Sequence, residues 1–64
     1  MRYRLVTEQN GEQHVGSTIL AADEIWDHLD TEETIHVARG WNVTRHGAML
    51  RAQKGDTVRW IWCR

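Results

Sequence analysis

A chain of 64 residues with 41% hydrophobic and 27% charged residues has the composition of one small folded domain, which we expect to span residues 1–64. A domain of this length buries only about 60% of its unfolded surface, which excludes a second module and a deep, enclosed active site. The formal net charge is −1, and no run of residues is long and apolar enough to suggest a membrane span.

A β-hairpin that turns at Asn10-Gly11 is the first predicted element. Both residue types tolerate the positive φ angles that a two-residue hairpin turn requires, and this dipeptide is the strongest short hairpin signal in the chain. Pairing around the turn sets Val6 opposite Val15 on one face of the hairpin. We expect the other face, with Leu5 and Tyr3, to point inward.

One helix is predicted from Ala21 to Asp30. Apolar residues recur there at steps of three and four, and acidic residues occupy the other side. Carboxylates in the first turn suit the positive end of the helix dipole. About ten residues are too few for an isolated helix to persist, so the helix must dock on a sheet. We expect Ile25, Trp26 and Leu29 to make that contact.

Three glycine reversals are predicted to fold residues 34–64 into a β-meander. A strand from Thr34 to Val37 comes first, and reversals follow at residues 38–40, 46–47 and 53–55. Each reversal places a glycine last, where a positive φ closes the turn. The predicted fold is α+β, a small antiparallel sheet with one helix packed on one face, in the order β-β-α-β-β-β-β.

The predicted registers sort the meander into an apolar face and a polar face, because side chains alternate along a strand. A two-residue turn at Lys54-Gly55 would set Arg59 against Leu50, so the apolar pattern favours the longer loop. Arg51 and Arg59 are then expected on the polar face. The predicted interior of the meander comprises Ile35, Val37, Trp41, Val43, Leu50, Val58 and Trp60.

The charge distribution along the chain is uneven. Residues 1–33 carry two arginines against eight carboxylates, a balance of −6, whereas residues 34–64 carry six basic residues against Asp56, a balance of +5. Such polarity marks an interaction surface, or it brings an acidic helix and a basic sheet together in one fold. The acidic run from Asp23 to Glu33 is read as the solvated side of the helix, with mimicry of a phosphate backbone as the alternative.

The polar face of the meander is the leading candidate for a partner site. Methionine and arginine are enriched at protein interfaces, and this face is predicted to display both types. We therefore expect a small non-enzymatic binding or adaptor protein that acts by protein–protein contact. Self-association through the strand from Thr57 to Cys63, which lacks proline, is a further option. The predicted contact patch comprises Met49, Arg51, Arg59 and Ile61.

Nucleic-acid binding is the alternative function. The basic residues of the meander would contact phosphates, which makes affinity strongly dependent on salt. The four tryptophans would suit base stacking, but the predicted registers bury most of them in the core. The predicted phosphate contacts are Arg39, Arg45, Arg51, Lys54 and Arg59.

No catalytic, metal or cofactor site is predicted. The four histidines and Cys63 match no short-range metal-ligand spacing, and no nucleophile stands in a recognisable relation to a base. Neither an enzyme activity nor a small-molecule substrate is therefore expected. A single cysteine permits no intrachain disulfide, which favours a cytoplasmic protein. Seven arginines against one lysine fit a high-GC bacterium or a phage or mobile element that lives in one.

Overall fold

An antiparallel sheet of five strands carries one helix on one face. The computed structural model describes residues 2–64; Met1, the first residue of the predicted domain, lies outside them. The predicted α+β class, with an N-terminal hairpin and a C-terminal meander, is confirmed. The elements are β1 (Leu5–Gln9), β2 (Glu12–Val15), a 3-10 turn (Ala22–Glu24), α1 (Ile25–Ala38), β3 (Asn42–His46), β4 (Met49–Lys54) and β5 (Thr57–Cys63).

The last strand in sequence, β5, is the central strand of the sheet. The spatial order is β2-β1-β5-β4-β3, with antiparallel pairing throughout. Because β5 pairs with β1 on one side and β4 on the other, the predicted open edge from Thr57 to Cys63 is wrong. The free edges belong to β2 and β3.

The N-terminal hairpin forms as the sequence predicts. Asn10 and Gly11 have φ angles of 54° and 79°, as a turn with two left-handed residues requires, and Val6 pairs with Val15. Leu5 lies on the helix side and packs against the core, in agreement with the prediction. Val6, on the opposite face, is also fully buried.

The helix is longer than predicted and includes the segment from Thr34 to Val37, so the predicted strand at these residues is wrong. The sheet therefore has five strands, in the order β-β-α-β-β-β. Gly40 ends the helix instead of closing a hairpin: its φ is 88°, its N–H donates to the Val37 carbonyl, and the Trp41 N–H donates to the His36 carbonyl. These two bonds define a Schellman cap.

The hydroxyls of two β-branched residues of α1 find hydrogen-bond acceptors within the helix. The Thr31 and Thr34 hydroxyls donate to the carbonyls of Asp27 and Asp30 over 2.9 and 3.0 Å. A helix lets a threonine hydroxyl reach the carbonyl four residues earlier, which satisfies a polar group that otherwise favours extended structure. The strand propensity of this segment is thus overridden by its place in a docked helix.

Both meander turns differ from the prediction in the position of glycine. The turns are Gly47-Ala48 and Gly55-Asp56, and each has glycine first, with φ of 60° and 58°. This pattern matches a type II′ hairpin turn, in which the first central residue needs a positive φ. The first turn keeps the predicted faces. The second replaces a three-residue loop with a two-residue loop and so turns every side chain of β5 to the opposite face.

The inverted β5 changes the composition of the core. Ile61 is 1% exposed and packs with Leu29 and Leu50 beneath the helix, although it was predicted on the outer surface. Trp60 lies on the face of the sheet away from the helix, so its predicted core position is wrong. Trp26 is also misplaced by the prediction, since it is 52% exposed on the helix. Within residues 2–64, no helix combines the length and the apolar character needed to cross a membrane.

Candidate binding surface on the open face of the sheet

The face of the sheet away from α1 is not covered by a helix, and we call it the open face. Strand register assigns side chains to it, because register partners and alternate residues share a face. On the central strands β1, β5 and β4 the open face consists of Val6, Glu8, Val58, Trp60, Trp62, Met49, Arg51 and Gln53.

Two indoles occupy the centre of the open face. Trp60 and Trp62 are alternate residues of β5, roughly 6.6 Å apart along the strand, and both are only partly buried. Trp60 pairs with Glu8, and Trp62 pairs with Met49. Val6, Met49 and the two indoles form the apolar part of the face, and Val6 is fully buried. A depression of about 260 Å³ is lined by Glu8, Met49, Trp60 and Trp62.

The Trp60 ring has two polar side chains near it, from β3 and β4. The His46 ring lies 5.8 Å away at an angle of 48°, and the Arg51 guanidinium lies 6.0 Å from the ring centroid. Arg51 is itself oriented by a hydrogen bond to Gln53 Oε1 over 3.0 Å. A cation at the limit of the cation–π range contributes little energy, so the guanidinium stays available for another partner.

The open face is basic, although the chain as a whole is slightly acidic. Arg4 and Arg64 exchange two backbone hydrogen bonds of 2.8 and 3.0 Å, which extends the β1–β5 ladder and places both side chains on the open face. With Arg51 they make three arginines. Among the described strand residues, register places one carboxylate, Glu8, on this face. Six carboxylates lie between residues 23 and 33, on the segment behind the sheet.

The structure separates the four residues predicted to contact a partner protein. Met49 and Arg51 lie on the open face, where their role remains a prediction. Arg59 and Ile61 lie on the helix side, since register pairs them with Ala52 and Leu50. The four side chains therefore do not form one patch.

Arg59 is used inside the fold. Its Nε donates to Gln9 Oε1, and its Nη1 donates to His36 Nε2, both over 2.9 Å. Because arginine has only donors, His36 Nε2 must accept, and the ring proton sits on Nδ1, 2.7 Å from the Glu32 carbonyl. The guanidinium also lies 4.4 Å from the Trp41 ring centroid. This side chain joins β5, β1 and α1.

The predicted phosphate contacts are dispersed in the same way. Arg45 Nη1 donates to Asp30 over 2.8 Å and to Glu33 over 2.9 Å, and these hydrogen bonds raise the pKa of its guanidinium. Lys54 donates to the Arg39 carbonyl over 2.9 Å, near the end of the helix. Of the five predicted residues, only Arg51 lies on the open face.

Sequence reasoning missed four residues of the open face. Trp60 and Trp62 were assigned to the core or its rim, with Trp62 expected to be partly exposed, and Arg4 and Arg64 were not considered. The signal that finds the two tryptophans is the dipeptide Gly55-Asp56, which fits a two-residue turn with glycine first. That turn alone moves both indoles to the open face.

No combination of side chains in the described chain suggests metal chemistry. Within residues 2–64, no group of three or more histidine, cysteine, aspartate or glutamate side chains converges closely enough to hold an ion. Comparison with protein-family models, with curated proteins and with solved structures found no match. Function is therefore inferred from the geometry of the open face.

Proposed function

We propose that the protein is a non-enzymatic binding module that holds single-stranded nucleic acid on the open face of its sheet. The observation that carries this proposal is a pair of partly exposed indoles, Trp60 and Trp62, in the central strand and among three arginines. Sheets that bind single strands combine aromatic side chains, on which bases stack, with cations along the backbone path.

Each part of the open face has a role in this proposal. Trp60 and Trp62 offer ring faces to two successive bases. Arg51 lies at one end of the indole pair, and Arg4 and Arg64 lie at the other, where guanidinium groups would contact phosphates. A phosphate would avoid the Glu8 carboxylate, but an amino group on a base edge is a suitable donor to it.

The charge asymmetry of the sequence also favours binding of nucleic acid to the open face. The acidic segment from residue 23 to residue 33 lies on the helix side, so its carboxylates are behind the sheet when a polyanion approaches the open face. Long-range attraction and repulsion then both favour docking through the open face. The single cysteine is consistent with action in the cytoplasm, which is part of the proposal.

Protein–protein contact is the second candidate, and it uses the same face. Tryptophan, methionine and arginine are the residue types enriched at interface centres, and Trp62, Met49 and Arg51 are neighbours here. The apolar depression beside Glu8 would accept a side chain of a partner. This candidate predicts affinity with little dependence on salt.

Titration of labelled oligothymidylate and oligouridylate at about 50 and 200 mM salt tests the proposal. We expect binding that weakens steeply with salt and that quenches tryptophan fluorescence. Replacing Trp62 with alanine should cost about 1–3 kcal/mol of binding free energy, whereas Trp26→Ala, which removes an exposed indole from the helix, should not change affinity. Circular dichroism confirms that both variants are folded.

Two variants that each remove one arginine charge provide an independent test. Arg51→Gln should weaken binding and lower the salt dependence, while Arg39→Gln, at the end of the helix, should do neither. Absence of binding at 50 mM salt, or equal effects of the two tryptophan variants, would contradict the nucleic-acid proposal. Capture of a protein that is lost with Trp62→Ala and insensitive to salt would favour the second candidate.

A further inference from the structure

Strand β3 forms a free edge of the sheet. It spans five residues, Asn42–His46, and contains no proline to block pairing. Along an antiparallel edge strand, alternate residues present N–H and C=O groups that no neighbouring strand satisfies. Such an edge is a template for one more strand.

One flank of α1 faces this edge. Arg45 rises from β3 on the helix side and bonds both Asp30 and Glu33, which lie on that flank. The same guanidinium is 5.6 Å from the ring centroid of Trp26. Because residues four and seven apart share a helix face, Val37 belongs to the same flank. The flank and the β3 edge therefore lie side by side, bridged by Arg45, and we call the region between them the groove.

The groove combines exposed apolar groups with carboxylates. Trp26 and Val37 are 52% and 56% exposed, high values for large apolar side chains in a small domain. A depression of about 510 Å³ on this side of the helix is lined by α1 residues, among them Asp30, Glu33 and Val37. Arg45 supplies one positive charge against two carboxylates, so the flank is acidic.

We propose that this groove binds an extended, basic segment of another protein, which adds to the sheet as a sixth strand beside β3. Its backbone would pair with the free edge, as in other cases of strand addition. Side chains on one side of the segment would reach the flank, with lysine or arginine toward Asp30 and Glu33 and apolar groups toward Val37.

Charge selects this occupant over a second copy of the chain. Antiparallel pairing of β3 with β3 about a twofold axis would keep both helices on the same side of the joint sheet. The acidic flanks would then face each other, and like charges in contact oppose association. The other free edge, β2, has no helix beside it, so a peptide added there would meet no acidic helix flank.

Binding of synthetic peptides to the uniformly ¹⁵N-labelled protein tests this proposal. The probe is an eight-residue peptide whose odd positions carry two lysines followed by two valines, with threonine at the even positions, so that one side of the extended peptide presents both side-chain types. Its controls are the same peptide with glutamate in place of lysine and the lysine peptide with alternate backbone nitrogens methylated. We expect amide shifts at residues 42–46 and at the Trp26 indole, with affinity at least fivefold weaker for both controls.

Variants on the two flanks of α1 provide a matched pair. Val37→Lys places a cation in the groove and should weaken the lysine peptide severalfold, whereas Ile35→Lys, on the opposite flank, should not. Shifts confined to Trp60 and Trp62, an equal response to the glutamate peptide, or unchanged affinity of Val37→Lys would each overturn the proposal. Sedimentation that shows a dimer without peptide, together with amide shifts at residues 42–46 on dilution, would also overturn it.

Discussion

Arg59 Nη1 donates a hydrogen bond to His36 Nε2 over 2.9 Å, which fixes the central strand to the helix. The bond determines the tautomer of His36 and lets a charged side chain occupy the helix side of the sheet. The positive charge has neutral partners there, a ring nitrogen, the Gln9 amide oxygen and the Trp41 ring. The geometry depends on the planar fork of a guanidinium, which a lysine cannot reproduce.

We predict that Arg59→Lys lowers the free energy of unfolding by about 1–2 kcal/mol, because hydrogen bonds to a charged group are lost while the charge is kept. Arg51→Lys, the same substitution on the open face, should change stability by less than about 0.5 kcal/mol. Urea denaturation followed by circular dichroism measures both. Equal effects would contradict the placement of Arg59 inside the fold.

The burial of Ile61 is tested by removing one methyl group. Ile61 is 1% exposed, and Ile61→Val should cost about 0.5–1.5 kcal/mol of unfolding free energy. Ile19 is 48% exposed, so Ile19→Val should stay within about 0.5 kcal/mol. Chemical denaturation of the two variants gives the comparison. If Ile61→Val left the free energy of unfolding unchanged, the side chains of β5 would have to point to the opposite faces of the sheet.

Gly55 should be sensitive to the chirality of its replacement. A Cβ at this position would meet no atom within 4 Å, so the cost of a side chain arises from φ of 58° alone. Gly55→Ala should cost about 1–2 kcal/mol, because an L-residue is strained in that region. D-alanine at the same site, introduced by chemical synthesis, should be tolerated or stabilising. Thermal unfolding distinguishes the two, and equal melting temperatures would be inconsistent with a left-handed turn residue.

Cys63 should react slowly at neutral pH. Burial raises the pKa of its thiol, so the folded protein holds less thiolate than the unfolded chain at the same pH. The rate of iodoacetamide alkylation should therefore inflect at a higher pH in buffer than in denaturing urea. Folding stability should fall as pH rises past the pKa of the unfolded thiol, because the folded state disfavours the thiolate. Coincident inflections would contradict this.

The sequence was sufficient to predict the fold class and the first hairpin. Asn10-Gly11 is unambiguous because both residues accept a positive φ, and the resulting register pairs Val6 with Val15 as predicted. The helix start was also readable from apolar spacing around Ile25 and Leu29. These features depend on local chemistry, which a sequence shows directly.

The wrong predictions come from the use of glycine, which serves more than one backbone role. Gly40 was read as a hairpin residue, but it caps a helix, because Ile35 and Val37 continue the helix despite their strand propensity. Gly55 was placed last in a loop when it is first in a turn. An apolar pattern could not correct this error, since Trp60 and Ile61 are adjacent and either could be buried.

The candidate site followed from that one turn. A loop shorter by one residue moves Ile61 inward and moves Trp60 and Trp62 to the open face. The predicted contact patch included Arg59 and Ile61, and both residues lie on the helix side once the facing of β5 is reversed. The position of Gly55 within the β4–β5 turn thus determines which side chains the open face presents for binding.

The central place of β5 also has a kinetic consequence. The β1–β2 hairpin and the β3–β4 hairpin are joined in the sheet only by β5, and Leu5 pairs with Cys63 near the other end of the chain. Neither hairpin is stable alone in water, and closing so long a loop is entropically costly before its contacts form. Cooperative assembly on the ribosome must therefore wait until the last strand has emerged from the exit tunnel.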